Sequence, residues 1–193
     1  MSLIPAFEIG VWNAWILAIV LLLLAYIPIL TLKDFAKKMG QSEHYGKIET
    51  FMTILFFILM ICSIFLPLKL GTVWFYAGLF IYLLGLIIVT ITIVNVASTP
   101  LGKPFIKGVY RYSRNPGYLG QIIVFVGIGI ASASWFYLLL SAILIVLTYL
   151  LVAIEERITL DKLGDAYREY MNRTPRWIGI PKGESKRDEA SLI

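Results

Sequence analysis

The residues best suited to chemistry lie in two polar segments, 99–121 and 155–181, on either side of a long apolar stretch. In the first segment, Arg111 and Arg114 precede the dipeptide Asn115-Pro116. Asparagine is a favoured helix N-cap and proline a favoured first helical residue, so we predict that a helix begins here. The N-terminus of such a helix suits a carboxylate or phosphate ligand. The simpler alternative is that Asn115 only caps the helix and that the arginines contact lipid headgroups.

The second segment carries a carboxylate on an apolar helical stripe. The residues of that stripe are Glu156, Leu160, Leu163, Tyr167 and Tyr170. A buried carboxylate is costly unless it has a partner. For Glu156 that partner is either an arginine in a structural ion pair or a ligand hydroxyl or cation; the candidate arginines are Arg111, Arg114 and Arg173. Glu155 can face either way, whereas Arg157 lies on the opposite, charged face.

The elements that position these segments are membrane spans. The chain of 193 residues is 59% hydrophobic and 15% charged, with a mean hydropathy of +0.83, whereas soluble domains are nearer 45–50% apolar and roughly 25% charged. Three apolar stretches suit single spans of about 20 residues, at about 10–32, 50–68 and 71–96. The stretch 118–154 would form a helix of about 55 Å, which suits two spans. Its small residues from Gly129 to Ser134 mark the turn, which predicts spans 118–132 and 134–154.

The basic residues give the predicted orientation. With five spans, 16 of the 17 lysines and arginines fall on one side of the membrane, and cytoplasmic segments are enriched in these residues. We therefore expect an all-α integral membrane protein of five transmembrane helices. Its last two helices form a hairpin, its N-terminus is outside, and a helical C-terminal segment is cytoplasmic. Residues 1–181 form one domain, and 182–193 form a polar tail.

Several classes of function fit the sequence poorly. Cys62 is the only cysteine and His44 the only histidine, which excludes a disulfide framework, a cysteine-based metal site and a histidine-ligated metal cluster. The predicted spans contain no charged residue, whereas carriers usually have such residues at depth. We assign the net charge of +5 to the cytoplasmic membrane side and predict no nucleic-acid partner.

Two motifs resemble those of a known family. The stretch from Gly108 to Gly120, GVYRYSRNPGYLG, resembles the G-x-Y-R-x-x-R-[HN]-P-x-Y-x-G signature of integral-membrane methyltransferases. That family includes isoprenylcysteine carboxyl methyltransferases and phospholipid N-methyltransferases. Glu155-Glu156, followed by 163–170 and two arginines, resembles the family's C-terminal signature. The resemblance covers 100–181, and the two motifs in this order make it specific.

The resemblance implies that S-adenosylmethionine binds in a cytoplasmic pocket between the two motifs. The implied cofactor-binding residues are Lys107, Gly108, Tyr110, Arg114, Asn115, Pro116, Tyr118, Glu155, Glu156, Tyr167 and Tyr170. The candidate catalytic residues are Glu156, Arg111 and Arg173: Glu156 or Glu155 could assist deprotonation of an ammonium or thiol acceptor, and Arg111 or Arg173 could hold an acceptor carboxylate. Many carboxyl methyltransferases of the group have histidine where this chain has Asn115, which speaks against a prenylcysteine acceptor.

These features predict an S-adenosylmethionine-dependent methyltransferase that modifies a lipid-soluble or membrane-partitioned acceptor. The acceptor could be a phospholipid amine, a prenylcysteine-like carboxylate or a small thiol. Its partners would be the lipid bilayer and a membrane lipid or lipophilic small molecule. Two alternatives stay open. One is a membrane-embedded, nicotinamide-dependent reductase of the sterol-reductase type, and the other is a membrane protein without enzymatic activity.

Overall fold

The computed structural model describes residues 9–39, 46–101 and 105–181, and these residues form helices and no strand. The predicted polar tail 182–193 lies outside the described residues. The helices are α1 (Trp15–Thr31), α2 (Phe35–Met39), α3 (Lys47–Ile64), α4 (Val73–Ser98), a 3-10 helix (Gly108–Arg111), α5 (Pro116–Ala131), α6 (Trp135–Leu163) and α7 (Asp165–Arg173). The all-helical prediction is confirmed over this part of the chain.

Three helices of the described ranges, α3, α4 and α6, are long and apolar enough to cross a membrane. Helices α1 and α5 are apolar but have 17 and 16 residues. Helix α1 begins later than the predicted span because the residues before it are held by another segment. Asn13 donates a hydrogen bond of 2.8 Å to the carbonyl of Ile64, and the N–H of Ala14 donates one of 2.8 Å to Leu66.

Helices α4 and α5 pack with their backbones in close contact through glycines. An added Cβ at Gly78 of α4 would lie 2.6 Å from both Ala131 Cα and the carbonyl oxygen of Gly127. At Gly127 of α5, it would lie 2.5 Å from the amide nitrogen of Tyr82. Real Cβ atoms do not approach other atoms this closely, so only glycine allows the two helices to sit at this distance. This packing fixes the C-terminal half of α5 against α4.

A tight turn joins α5 to α6 inside the small-residue run that the sequence indicates. Ala133 has φ of 49°, and the hydroxyl of Ser134 caps α6 by accepting a hydrogen bond from the N–H of Tyr137 at 3.3 Å. Because α5 and α6 run back along each other, the start of α5 and the end of α6 meet at the same end of the bundle. The two polar segments are therefore brought together.

The long α6 does not continue straight into the C-terminal segment. It ends at Gly164, whose φ of 58° lies in the left-handed region that glycine tolerates best, and α7 begins at the next residue. Gly164 therefore marks a bend between α6 and α7. Tyr167 and Tyr170 belong to α7, and the bend turns α7 back toward the start of α5.

Candidate functional site

A cavity of about 630 Å³ lies where the two polar segments meet. One part of its wall is apolar and comes from α1, α3 and α4, with Leu21, Ala25, Ile29, Phe56, Val89, Ile93 and Val96. The other part is polar and comes from the two motifs, with Tyr110, Arg114, Asn115, Tyr118, Gln121, Glu155, Glu156, Tyr167 and Tyr170. Such a cavity suits a ligand, or a pair of ligands, with both polar and apolar groups.

Glu156 lies at the centre of the polar part and is 3% exposed. Its Oε2 accepts a hydrogen bond from Arg176 Nε at 2.9 Å and forms an ion pair with Arg176 Nη2 at 2.7 Å. Its Oε1 lies 3.0 Å from Arg114 Nε, an ion pair without hydrogen-bond geometry, and accepts a hydrogen bond from Asn115 Nδ2 at 3.4 Å. Both carboxylate oxygens are thus engaged by the protein. Of the arginines proposed from sequence, Arg114 is the one found here.

The segment after α7 folds back over the start of α5, and backbone hydrogen bonds hold it there. The N–H of Arg114 donates to the carbonyl of Pro175 at 3.0 Å, and the N–H of Gly179 donates to Tyr112 at 3.1 Å. Arg114 Nη1 also donates to the carbonyl of Met171 at 2.9 Å. Because the chain returns in this way, Arg176 lies next to Glu156. The hydrogen bond to Glu156 raises the pKa of the Arg176 guanidinium.

Asn115 occupies the N-cap position of α5, as predicted, but its side chain does not cap the helix. Its Nδ2 donates to the carbonyl of Arg176 at 3.1 Å and to Glu156. The amide therefore joins the start of α5 to the C-terminal segment. Pro116 follows it as the first residue of α5 and is buried.

Glu155, the neighbour of Glu156, has a different environment. Its Oε1 accepts a hydrogen bond of 2.7 Å from the hydroxyl of Tyr118. Within the described ranges, Glu155 forms no ion pair. Both residues line the cavity, so Glu155 presents its carboxylate to the same space as Glu156.

Three tyrosines complete the polar wall. The hydroxyl of Tyr170 donates to the carbonyl of Tyr110 at 2.8 Å, and the rings of Tyr167 and Tyr170 lie 5.8 Å apart. Burial raises the pKa of Tyr110 to about 12 and that of Tyr167 to about 12. These phenols therefore stay neutral at physiological pH, and their rings offer faces that attract cations.

Four residues singled out from sequence do not line the cavity. Arg111 and Lys107 are exposed, and Arg173 pairs with Glu169 on the same helix. Gly108 has φ of 61°, and a Cβ there would lie 2.5 Å from the Nδ2 atom of Asn95. Gly108 thus supports the shape of the loop, because only glycine fits this conformation and space.

Lys38 also lines the cavity, although no motif in the sequence indicates it. It lies on α2, and its Nζ donates hydrogen bonds to the carbonyls of Val96 at 3.2 Å and Ala97 at 2.7 Å, at the C-terminal end of α4. A cation is favourable at a helix C-terminus, where carbonyls lack helical partners. The contact spans 58 residues of sequence, so no local pattern could have indicated it.

We expect Lys38→Met to destabilise the protein by about 1.5–3 kcal/mol, because it removes two charge-assisted hydrogen bonds. The melting temperature in detergent measures this loss. Lys37→Met is the matched control, since the Lys37 side chain is 73% exposed and pairs with the partly exposed Asp34. Its melting temperature should change by much less, because exposed pairs contribute about 0–1 kcal/mol. Equal shifts of the melting temperature in the two variants would contradict a role of Lys38 in holding α2 against the end of α4.

Comparison with known proteins places the same region in one family. A family model described as phospholipid methyltransferase matches residues 70–166, half of the chain, from before α4 into α7. Methanethiol S-methyltransferase 1 from Bradyrhizobium diazoefficiens is 34% identical over 70 residues, which are 36% of this chain and 24% of that protein. The alignment thus spans about a quarter of this relative's length. The predicted membrane methyltransferase family is confirmed, and the chain belongs to the phospholipid methyltransferase family.

Proposed function

We propose that the protein is an S-adenosylmethionine-dependent methyltransferase that modifies a lipid-soluble or membrane-partitioned acceptor. The observation that carries this proposal is the single cavity in which both motifs meet and whose wall is polar on one side and apolar on the other. A polar methyl donor and an apolar acceptor both have a matching surface there. Family membership supports the methyltransferase activity.

The side chains of the cavity fit the cofactor chemically. S-adenosylmethionine, when bound, supplies a methyl group activated by a positively charged sulfur. The Glu155 carboxylate can accept hydrogen bonds from ribose hydroxyls or lie near the sulfonium. The neutral rings of Tyr110, Tyr167 and Tyr170 offer faces suited to a cation and to an adenine ring. Asn115 and Arg114 border the same space and hold the C-terminal segment across it.

The contribution of the protein to such a reaction is placement and exclusion of water. When two reactants are already held in line, the reaction step avoids much of the entropy loss of a bimolecular encounter. In this chain, α7 and the returning segment cover the polar side through Tyr170 and Arg176, and α2 covers another side through Phe35 and Lys38. Cys62 lies on α3, outside the lining residues, and this reaction needs no covalent nucleophile.

The acceptor is expected to enter from the lipid side, along the apolar wall formed by α1 and α4. The family name points to phospholipids and the similar protein's name to methanethiol. Both acceptor classes are proposals for this chain. A panel of phospholipids, prenylcysteines and small thiols, offered with labelled S-adenosylmethionine, identifies the acceptor by mass spectrometry.

Cofactor binding gives the direct test of the proposal. Isothermal calorimetry of the purified protein in detergent should show binding of S-adenosylhomocysteine and no binding of NADPH. The reductase alternative gives the opposite pattern. Binding of neither compound by the folded protein would favour a non-enzymatic membrane protein.

We also propose that α1, α3, α4, α5 and α6 all span the membrane, with the cavity facing the cytoplasm. The distribution of lysine and arginine supports this orientation. In intact cells, a cysteine introduced near Lys186 should resist impermeant thiol reagents, and one near Ser2 should react. The Cys62→Ser variant serves as the background for both. Labelling of both positions from the same side would contradict five spans.

A further inference from the structure

The apolar part of the cavity has an inner end within the helix bundle. Helix α1 contributes Ile29, Ala25 and Leu21 to the wall, and these residues follow one another at steps of four along one helical face. Because α1 is followed by α2, whose Lys38 contacts the end of α4, Ile29 is nearest to the polar part and Leu21 is farthest from it. On α4, the lining residue farthest from that end is Val89. Leu21 and Val89 therefore mark the inner end.

The ring of Phe56, on α3, closes this inner end. Phe56 lines the cavity and packs edge-to-face against Phe125 of α5, with ring centroids 5.6 Å apart and planes at 80°. Phe125 lies one turn beyond Gln121, where the α5 lining stops, and it is 0% exposed. Leu59, one turn beyond Phe56 on α3, is also 0% exposed and belongs to the same core. The space for a ligand thus ends at the Phe56 ring, and the packed core begins behind it.

The length of the apolar wall limits what can lie along it. The eight residues from Ile29 to Leu21 span about 12 Å of helix. One leaflet of a bilayer is half of the hydrocarbon core, or about 15 Å. An unbranched chain that follows this wall therefore meets Phe56 before it reaches the length of a leaflet. Apolar contacts have no direction, so this wall can select a ligand by its length and shape.

We propose that Phe56 sets the longest unbranched chain that the methyl acceptor can place in the cavity, and that this chain is shorter than one leaflet. The inference rests on the proposed methyltransferase function. A longer chain must displace the Phe56 ring, which Phe125 holds in place, and forcing extra methylenes into a packed interior is unfavourable. Phe56 touches the chain and not the reacting atoms, so it is a specificity-determining residue.

The test changes the size of the side chain at Phe56 in both directions. Phe56→Ala and Phe56→Leu lengthen the apolar part, and Phe56→Trp shortens it. Phe51→Ala is the matched control, because it makes the same truncation on α3 at a residue that is 59% exposed. The melting temperature shows which variants fold. Phe56→Leu removes less of the side chain than Phe56→Ala, so it carries the test if the alanine variant does not fold.

Two measurements are made on each folded variant. Calorimetry gives the affinity for straight-chain alcohols from butanol to hexadecanol, which bind without being methylated. Methyl transfer from S-adenosylmethionine is measured with straight-chain thiols and primary amines of the same lengths. Each variant is compared with the wild type at the same chain length and in the same detergent, so the partition of the chain into detergent cancels.

For chains that end before Phe56, we expect Phe56→Leu to match the wild type within about threefold. For longer chains, the ratio of Phe56→Leu to wild type should rise by about 5- to 150-fold in both measurements, the usual cost of overpacking. Phe56→Trp should move the limit to shorter chains, and Phe51→Ala should match the wild type at every length. The thiols and the amines should reach the limit at the same chain length, because the chain and not the head group meets Phe56.

Two results would overturn the inference. The first is a folded set of Phe56 variants that matches the wild type at every chain length, as expected if the chain leaves the cavity between α1 and α4 and enters the lipid. The second is a limit that moves with Phe56 for the alcohols but not for methyl transfer, because the acceptor chain would then lie elsewhere. Failure of the wild type to bind S-adenosylhomocysteine would instead remove the proposed function, and the alcohol series distinguishes this failure because it requires no methyl transfer.

Discussion

Glu156→Gln should lower the stability of the protein by about 3–5 kcal/mol, the usual cost of removing one member of a buried ion pair. The variant keeps the shape of the side chain but leaves the Arg114 guanidinium, 9% exposed, without its counter-ion. Arg176 is 32% exposed and can reach water more easily. The melting temperature in detergent should therefore fall by on the order of 10 °C.

The same variant separates a structural role from direct contact with the cofactor. Because both oxygens of Glu156 are engaged by the protein, the folded fraction of Glu156→Gln should bind S-adenosylhomocysteine within about threefold of wild type. Arg157→Gln changes the adjacent, exposed residue and should alter neither quantity, since exposed charges contribute about 0–1 kcal/mol. A variant with an unchanged melting temperature and a lost affinity would show that Glu156 contacts the cofactor directly.

The partners of Glu156 show how much of the site can be predicted from the sequence. Its position on an apolar stripe predicts burial, and burial of a carboxylate demands a partner, both of which follow from helical periodicity and solvation. The identity of the partners depends on how the chain returns after α7. Arg114 is one of the three arginines expected, and Arg176 enters because Pro175 binds the backbone of Arg114. No periodic pattern in the sequence predicts that the segment after α7 packs against the start of α5.

The cavity shows the same division between local and long-range information. The helix start at Asn115-Pro116 and the bend at Gly164 follow from the conformational preferences of single residues, and both are present. The wall from α2 depends on a hydrogen bond from Lys38 to the end of α4, far away in sequence. The motif side of the cavity can therefore be predicted from the sequence, whereas this part of its wall cannot.

The Gly78→Leu variant tests the close contact between α4 and α5. Gly78→Leu should destabilise the protein by at least about 3 kcal/mol, at or above the upper end of the usual cost of overpacking. The obstacle is backbone, namely Ala131 Cα and the Gly127 carbonyl oxygen at 2.6 Å from the new Cβ, so no side-chain rotation can relieve it. Leucine has the better helix propensity by up to about 1 kcal/mol, but this gain is smaller than the clash.

Ala77→Leu is the control, because it introduces the same side chain at the neighbouring residue of α4, which is exposed. Its melting temperature should stay close to that of the wild type. In Gly78→Leu, the end of α5 at Gly127 and Ala131 must move away from α4. Equal melting temperatures for the two leucine variants would show that α4 and α5 are not held together through these glycines.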